Sequence, residues 1–310
     1  TDFPKFESSG LKGCIREAFE KYEKLIVISK DGKDVECTKK LREKFPELSE
    51  PSKFKEAISI IFGPEGGESH AGAISITDAR ILLFPVKSLK GVFAWITCPL
   101  VLERFKRDLE FVGIKNSTFS KFSNFPENTI PYDSKIEIKT QNGTSSKIVL
   151  EEFTFEVENS QHTTEIAQKL SDIIFPNDPS YAFWKEKLKR DLVILSDDDF
   201  KHFVKSSTEV ITRTKIDNDT GTVQTGALWT EEYLPQDTIM YSIVMFTQPR
   251  VKDNDKKGIF KRNNTDEEVI SIVDFFTIGI PEVIQVGGNQ TIGKGLMRVN
   301  FLNKEISHGK

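Results

Sequence analysis

The sequence predicts an α+β fold on the βαββαβ, ferredoxin-like (RRM-like) plan, with helical insertions and a projecting β-hairpin. Three observations predict it. Helix, strand, strand, helix and a late strand follow in that order. Two apolar runs around a basic turn form the centre of the pattern, at Ile81 to Pro85 and Val92 to Ile96. A long strand-like arm, Val210 to Ile216, reaches the polar turn Asn218-Asp219-Thr220-Gly221 and returns through Trp229 and Tyr233.

The elements follow in order. Leu11, Cys14, Ile15, Ala18, Phe19, Tyr22, Leu25 and Ile26 recur at i, i+3, i+4 and i+7, so a helix starts near Gly10. Residues 29 to 56 are charged and read as a loop with short helical pieces. The strand, basic turn and second strand of 81 to 96 lead into a helix that Pro99 opens and that ends near Gly113, with Val101, Phe105, Leu109 and Val112 as its buried stripe. Residues 114 to 147, rich in Asn, Ser, Thr and Pro, read as a long excursion. Ile148, Leu150, Phe153, Phe155 and Val157 suggest a strand with an irregularity, and 163 to 204 read as helical insertions broken by Pro176 and Pro179. After the hairpin come an apolar strand from Ile239 to Phe246, the segment Glu282 to Val286, a glycine-rich loop and a strand from Leu296 to Leu302.

The plan lacks its first strand, which would lie in the middle of the sheet and pair on both sides. Leaving those edges unpaired strands backbone N–H and C=O groups. The native protein is therefore expected to extend upstream of Thr1, or another segment fills the gap; intact-mass measurement and N-terminal sequencing distinguish the two.

Composition excludes several classes. With 310 residues, 37% hydrophobic and 29% charged, the chain carries a real core. It has no apolar run of membrane-spanning length and Thr1 to Lys5 do not read as a signal peptide. Three cysteines without C-x-x-C spacing and four scattered histidines argue against a disulfide framework or a zinc site and fit a reduced, cytoplasmic setting. The net charge of −4 weighs mildly against nucleic acid, although phosphate binding needs only a local basic surface.

Candidate site residues fall in four places. Lys12 lies in the first turn of a helix, where the macrodipole disfavours a cation, which suggests an anion held with the amides of Gly10 to Gly13; Arg16 extends that surface one turn on. The plain alternative is a solvated lysine. Lys90 tops the basic turn Leu89-Lys90-Gly91. Gly288 to Gly295 nearly spells a Walker A loop, yet Gly295 stands where Ser or Thr should hold magnesium and a strand pattern follows, so ATP is excluded. Its glycines and Lys294 suit close approach to a phosphodiester, or a tight hairpin turn. Trp229 and Tyr233 could stack on bases or pack on their own domain, and Glu231 with Glu232 could be solvated or could assist a metal or a proton near RNA. Arg250 follows the apolar strand. No Ser-His-Asp order, activated cysteine or two-metal carboxylate cluster is evident, so catalysis does not follow from these residues.

Together these segments resemble the RAMP superfamily of CRISPR proteins, and within it the backbone subunits of type III-B effector complexes. The matching phrases are Gly10-Leu11-Lys12-Gly13 with Arg16, Phe62-Gly63-Pro64, Ala71 to Arg107, Val149 to Phe153, Thr220 to Val223, Gly226 to Pro235, Pro249 to Asp255 and Gly287 to Gly295. Segments 29 to 60 and 114 to 145 match poorly, and Gly10 stands where the family commonly has Ser.

The resemblance implies one elaborated RAMP domain: a palm at about 1–113 and 239–310, insertions at about 114–204 and a thumb hairpin at about 205–238. It implies several copies polymerising along a guide RNA, partnered by other effector subunits, with paired target RNA cut at regular intervals with a divalent cation, magnesium. Lys12, Arg16, Lys90, Arg250, Gly287, Gly288, Gly293, Lys294 and Gly295 would meet RNA, Trp229 would be a thumb contact, and Glu231 matches an accessory catalytic position. The family's cleaving aspartate belongs to a loop upstream of where this chain begins, so no residue here inherits that role. A non-catalytic RNA-binding scaffold and a guide-processing RAMP nuclease are the alternatives.

Overall fold

The computed structural model describes residues 3–28, 36–66, 70–114, 118–139 and 146–302. Its helices are α1 (Ser8–Ile28), α2 (Glu36–Lys44), α3 (Pro51–Phe62), α4 (Pro99–Phe111), α5 (Gln161–Ile174), α6 (Ala182–Asp191), α7 (Asp197–Ser206) and α8 (Thr265–Gly279). The strands of the first half are β1 (Lys5–Phe6), β2 (Ile74–Ile76), β3 (Ala79–Ser88), β4 (Val92–Thr97), β5 (Thr129–Ile130), β6 (Ile138–Lys139), β7 (Ser146–Leu150) and β8 (Phe153–Asn159). Then follow β9 (Leu192–Ile194), β10 (Glu209–Ile216), β11 (Val223–Tyr233), β12 (Ile239–Tyr241), β13 (Val244–Phe246), β14 (Val283–Gln285) and β15 (Leu296–Arg298). The chain divides into two compact units, residues 1–5 with 80–241 and residues 6–79 with 242–310.

The first unit is built on β3, where every residue from Ile81 to Val86 is buried, the signature of a strand covered on both faces. β3 pairs antiparallel with β4, β4 parallel with β9, β9 antiparallel with β5, β5 parallel with β8, and β8 antiparallel with β7. β7 returns to β3 at Leu150 and Ser88, which closes a ring of six strands. β6 adds to β7, β12 pairs with the first half of β3, and the short β1 neighbours β3 in the sheet order. Phe84, Trp95, Phe105, Phe119, Phe200 and Phe203 fill the core under α4, α5 and α7.

Three readings change here. Leu192 to Ile194, expected within helical insertions, form β9: three adjacent residues are all fully buried, which a one-sided helical stripe cannot achieve. The irregularity near residue 151 is a tight turn, with Glu151 at φ 50°, that splits the expected strand into the β7–β8 hairpin. The excursion of 114 to 147 is anchored in the core by Phe119, Phe122, Phe125, Ile130 and Ile136.

The second unit is mostly helical. Phe19 of α1 stacks on Phe275 and Phe276 of α8 at centroid distances of 5.6 and 6.0 Å. Gly279 permits that approach, since a Cβ there would lie 2.4 Å from the Phe19 ring. The helical pieces expected within 29 to 56 are α2, a 3-10 turn at Pro46–Ser49 and the start of α3, and residues 29 to 35 lie outside those described. α3 buries Phe54, Ala57, Ile58 and Ile61 at helical spacing, a stripe that the surrounding lysines and glutamates hide in the sequence. Two small sheets complete the unit, β2 with β13 and β14 with β15. The expected strand of 239 to 246 is thus two strands in different sheets, and the strand expected at 296 to 302 ends at Arg298 and pairs with β14 rather than with β3 or β4.

Candidate nucleic-acid interface

In the second unit, α1 begins at Ser8, whose amide donates to Asp78 Oδ1 at 2.9 Å. Leu11's amide already donates to the Glu7 carbonyl at 2.9 Å, so from Leu11 onward the amides lie inside the helix and cannot form the anion nest expected at Gly10 to Gly13. The cations remain. Lys12 Nζ donates to the Ile74 carbonyl at 3.2 Å, and its pKa is lowered by burial and then by the positive charges of Arg16 and Arg250. Arg16 is partly committed, donating to the Gly63 carbonyl at 2.8 Å and to Glu20 Oε1 at 2.6 Å. Arg250 is exposed and donates to Thr247 Oγ1 at 3.2 Å. The charges of Arg16 and Arg250 thus disfavour the Lys12 ammonium, and an anion bound there would offset that repulsion.

The glycine-rich loop joins β14 to β15 and is exposed over Gly287 to Gly293. Gln285 staples it from within, its Nε2 donating to the carbonyls of Gly287 at 2.9 Å and of Gly288 and Lys294 at 3.3 Å. Gly287, Asn289, Gly293 and Gly295 all take positive φ. Only at Gly295 does packing also demand glycine, because a Cβ there would sit 1.9 Å from the Val286 carbonyl oxygen. β15 follows the loop, which agrees with the exclusion of a Walker A helix.

In the first unit, Lys90 tops the β3–β4 turn and donates to the Glu137 carbonyl at 2.7 Å, beside an open depression of about 720 Å³ lined also by Tyr132, Asp133, Ser134, Lys139 and Asn159. β10 and β11 form a two-stranded ribbon in which Arg213 opposes Trp229 and Ile211 opposes Glu231. The Glu231 carboxylate collects three donors: Trp229 Nε1 at 3.0 Å, Arg213 Nε at 3.1 Å and the Tyr233 hydroxyl. These bonds, Tyr233 first and then Trp229 and Arg213, hold its pKa down to about 2. A carboxylate so committed stays ionised near neutrality and orients the Trp229 ring, which is 47% exposed.

Sequence reasoning gathered Lys12, Arg16 and Arg250 from distant segments, and the fold brings their charges together. It missed Arg213 as a site residue; the signal available was its place opposite Trp229 on a hairpin face of period two. Among the described residues, no group of three or more His, Cys, Asp or Glu side chains is gathered to hold a metal, so these residues do not fit a resident cation and no chemical step is assigned to one. Also among the described residues, no helix is long and apolar enough to cross a membrane.

Cations gathered on α1 and an exposed glycine loop in one unit, and an aromatic hairpin in the other, are features that suit RNA binding. The family model of the RAMP superfamily matches residues 1–298, and the chain belongs to that superfamily. It is 40% identical over 257 residues, 82% of this chain and 77% of the relative, to the CRISPR system Cmr endoribonuclease Cmr4 of Pyrococcus furiosus. Among solved structures, oligomeric Cmr4 from Pyrococcus furiosus superposes with a TM-score of 0.59 at 32% identity, over 96% of this chain and 86% of that one. A chain of the type III-B Cmr-beta complex bound to cognate target RNA has a TM-score of 0.59 at 19% identity, covering 97% of this chain and 85% of that one; at that identity it speaks for the fold alone.

Proposed function

We propose that this chain is the guide-RNA-binding backbone subunit of a type III-B CRISPR effector, acting in the cytoplasm. Copies polymerise along the guide and assemble with other effector subunits. The assembled effector cleaves paired target RNA at regular intervals with a divalent cation, no described residue being assigned the cleaving role or the cation. The observation that carries this reading is the 40% identity, across 82% of the chain, to a Cmr endoribonuclease. The crowded Lys12, Arg16 and Arg250 charges supply a physical reason for backbone phosphate to bind there. Residues of about 1–113 and 239–310 form the ferredoxin-like palm of one elaborated RAMP domain, 114–204 its insertions and 205–238 its thumb. In this reading Lys12, Arg16, Lys90, Arg250, Lys294 and the glycines 287, 288, 293 and 295 meet the RNA backbone, while Glu231 holds Trp229 ready to contact a base.

The test is the assembled complex with guide RNA, magnesium and end-labelled target. Evenly spaced cuts support the proposal. Target that is bound but intact points to a scaffold, and the absence of guide-dependent filaments points to a processing enzyme. RNA affinity must also fall with salt, because each neutralised phosphate releases counterions.

A further inference from the structure

The β3–β4 turn is built at two unusual costs. Val92, a β-branched residue, takes φ 74° directly after Gly91 at φ 82°. Beneath them lies a buried charge pair, Lys187 and Asp191 of α6, with side chains 8% and 5% exposed and 2.7 Å apart. Buried ion pairs are weak contributors to stability, since desolvation offsets the attraction. Strained backbone persists where its surroundings over-determine it.

The Lys187 ammonium has three protons, and the structure gives each an acceptor: the Gly91 carbonyl at 3.0 Å, the Phe93 carbonyl at 2.8 Å and Asp191 Oδ2 at 2.7 Å. It also lies 4.2 Å from the centroid of the Phe93 ring. Two of its three bonds therefore fix carbonyls on either side of strained Val92. Asp191 seats the turn from below: a Cβ on Gly91 would lie 3.5 Å from Asp191 Oδ2 and 2.9 Å from Ile136 Cγ2. What this clamp presents is not core. Leu89 is 74% and Val92 80% exposed, with Lys90 between them. Lys90 rests on a neutral carbonyl, so its charge stays available to an anion.

We propose that Lys187 and Asp191 are positioning residues for RNA binding, clamping the 88–92 turn so that Lys90 meets a backbone phosphate of single-stranded RNA. The inference rests on the reading of Lys90 as an RNA contact. A pair that merely stabilises the unit would change stability without changing how binding responds to salt.

The test measures binding of the full chain to an unstructured RNA oligomer by fluorescence anisotropy over a series of salt concentrations. Lys90→Met lowers the slope of log K against log salt by about 0.7, the loss expected for one single-strand phosphate contact. Lys187→Met lowers it by the same amount, and Lys90→Met with Lys187→Met lowers it no further. Should Lys187→Met unfold the unit by stranding Asp191, Lys187→Met with Asp191→Leu removes both charges and gives the same lowered slope. Folded Lys187 variants with the wild-type slope overturn the positioning role and leave the Lys90 contact standing. A wild-type slope for Lys90→Met overturns both. Wild-type binding without salt dependence would sink the RNA-binding reading itself.

Discussion

Gly295 and Gly288 sit in one loop and play opposite parts. Gly295→Ala forces a side chain into the Val286 carbonyl at a φ of 72°, and a loss of about 2 kcal/mol or more is expected in urea unfolding. At Gly288 nothing lies within 4 Å of an added Cβ, so Gly288→Ala should leave stability within about 0.5 kcal/mol. If Gly288→Ala still weakens RNA binding, the loop approaches the backbone directly. The sequence marks the loop but cannot rank its glycines, because the clash that decides comes from Val286 across the hairpin. Glu231 shows the same limit. Its carboxyl pKa is depressed to about 2, so its bonds stabilise the hairpin above the ordinary carboxylate range, near 4.5, and are lost as pH falls through about 2. The Trp229 indole N–H resonance should therefore hold its position from pH 7 down to pH 4 and move only toward pH 2, while Glu231→Gln should shift it at pH 7.

At the scale of elements, the stripes of α1 and α4 were readable, while buried joints and the helix α8 were not. α8 starts with Asn264, whose Oδ1 accepts from the Glu267 amide at 2.9 Å while its Nδ2 donates to Glu267 Oε1 at 3.0 Å. Asn264→Ala should cost about 1 kcal/mol in thermal or urea unfolding of the second unit. α4 starts differently: Cys98, at its N-cap, is wholly buried, and burial, then the nearby Asp197 carboxylate, pushes its thiol pKa up. It should resist thiol reagents in the folded state and react only on unfolding. The stripe of α1, the basic turn and the hairpin arms could be read from periodicity alone. β9 could not, because Leu192 to Ile194 follow α6 with no turn between them, and only pairing with β4 and β5 makes them a strand.

For the whole molecule, the α+β class was legible, and the division into two units was not. That division runs between residues 5 and 6, 79 and 80, and 241 and 242, the last inside the stretch from Ile239 to Phe246 that reads as one strand. Each unit keeps its own aromatic core, so Phe84→Ala in one and Phe275→Ala in the other should each cost about 3–5 kcal/mol. Hydrogen exchange should then loosen first in the unit that carries the change. The candidate site was legible where charge or glycine clustered in sequence, as at 287 to 295. It was hidden where one buried side chain serves a distant turn, as Lys187 serves Gly91 and Phe93. Net charge misled mildly: −4 overall coexists with cations close enough to disturb one another.

The closed ring has a consequence for growth. A sheet that bites its own tail is self-limiting: β7 already occupies the place on β3 at which another strand would add. Copies of this chain therefore cannot elongate by trading strands around that ring, as fibrils do. Copies that polymerise along a guide, as proposed, must then join through surfaces outside that ring.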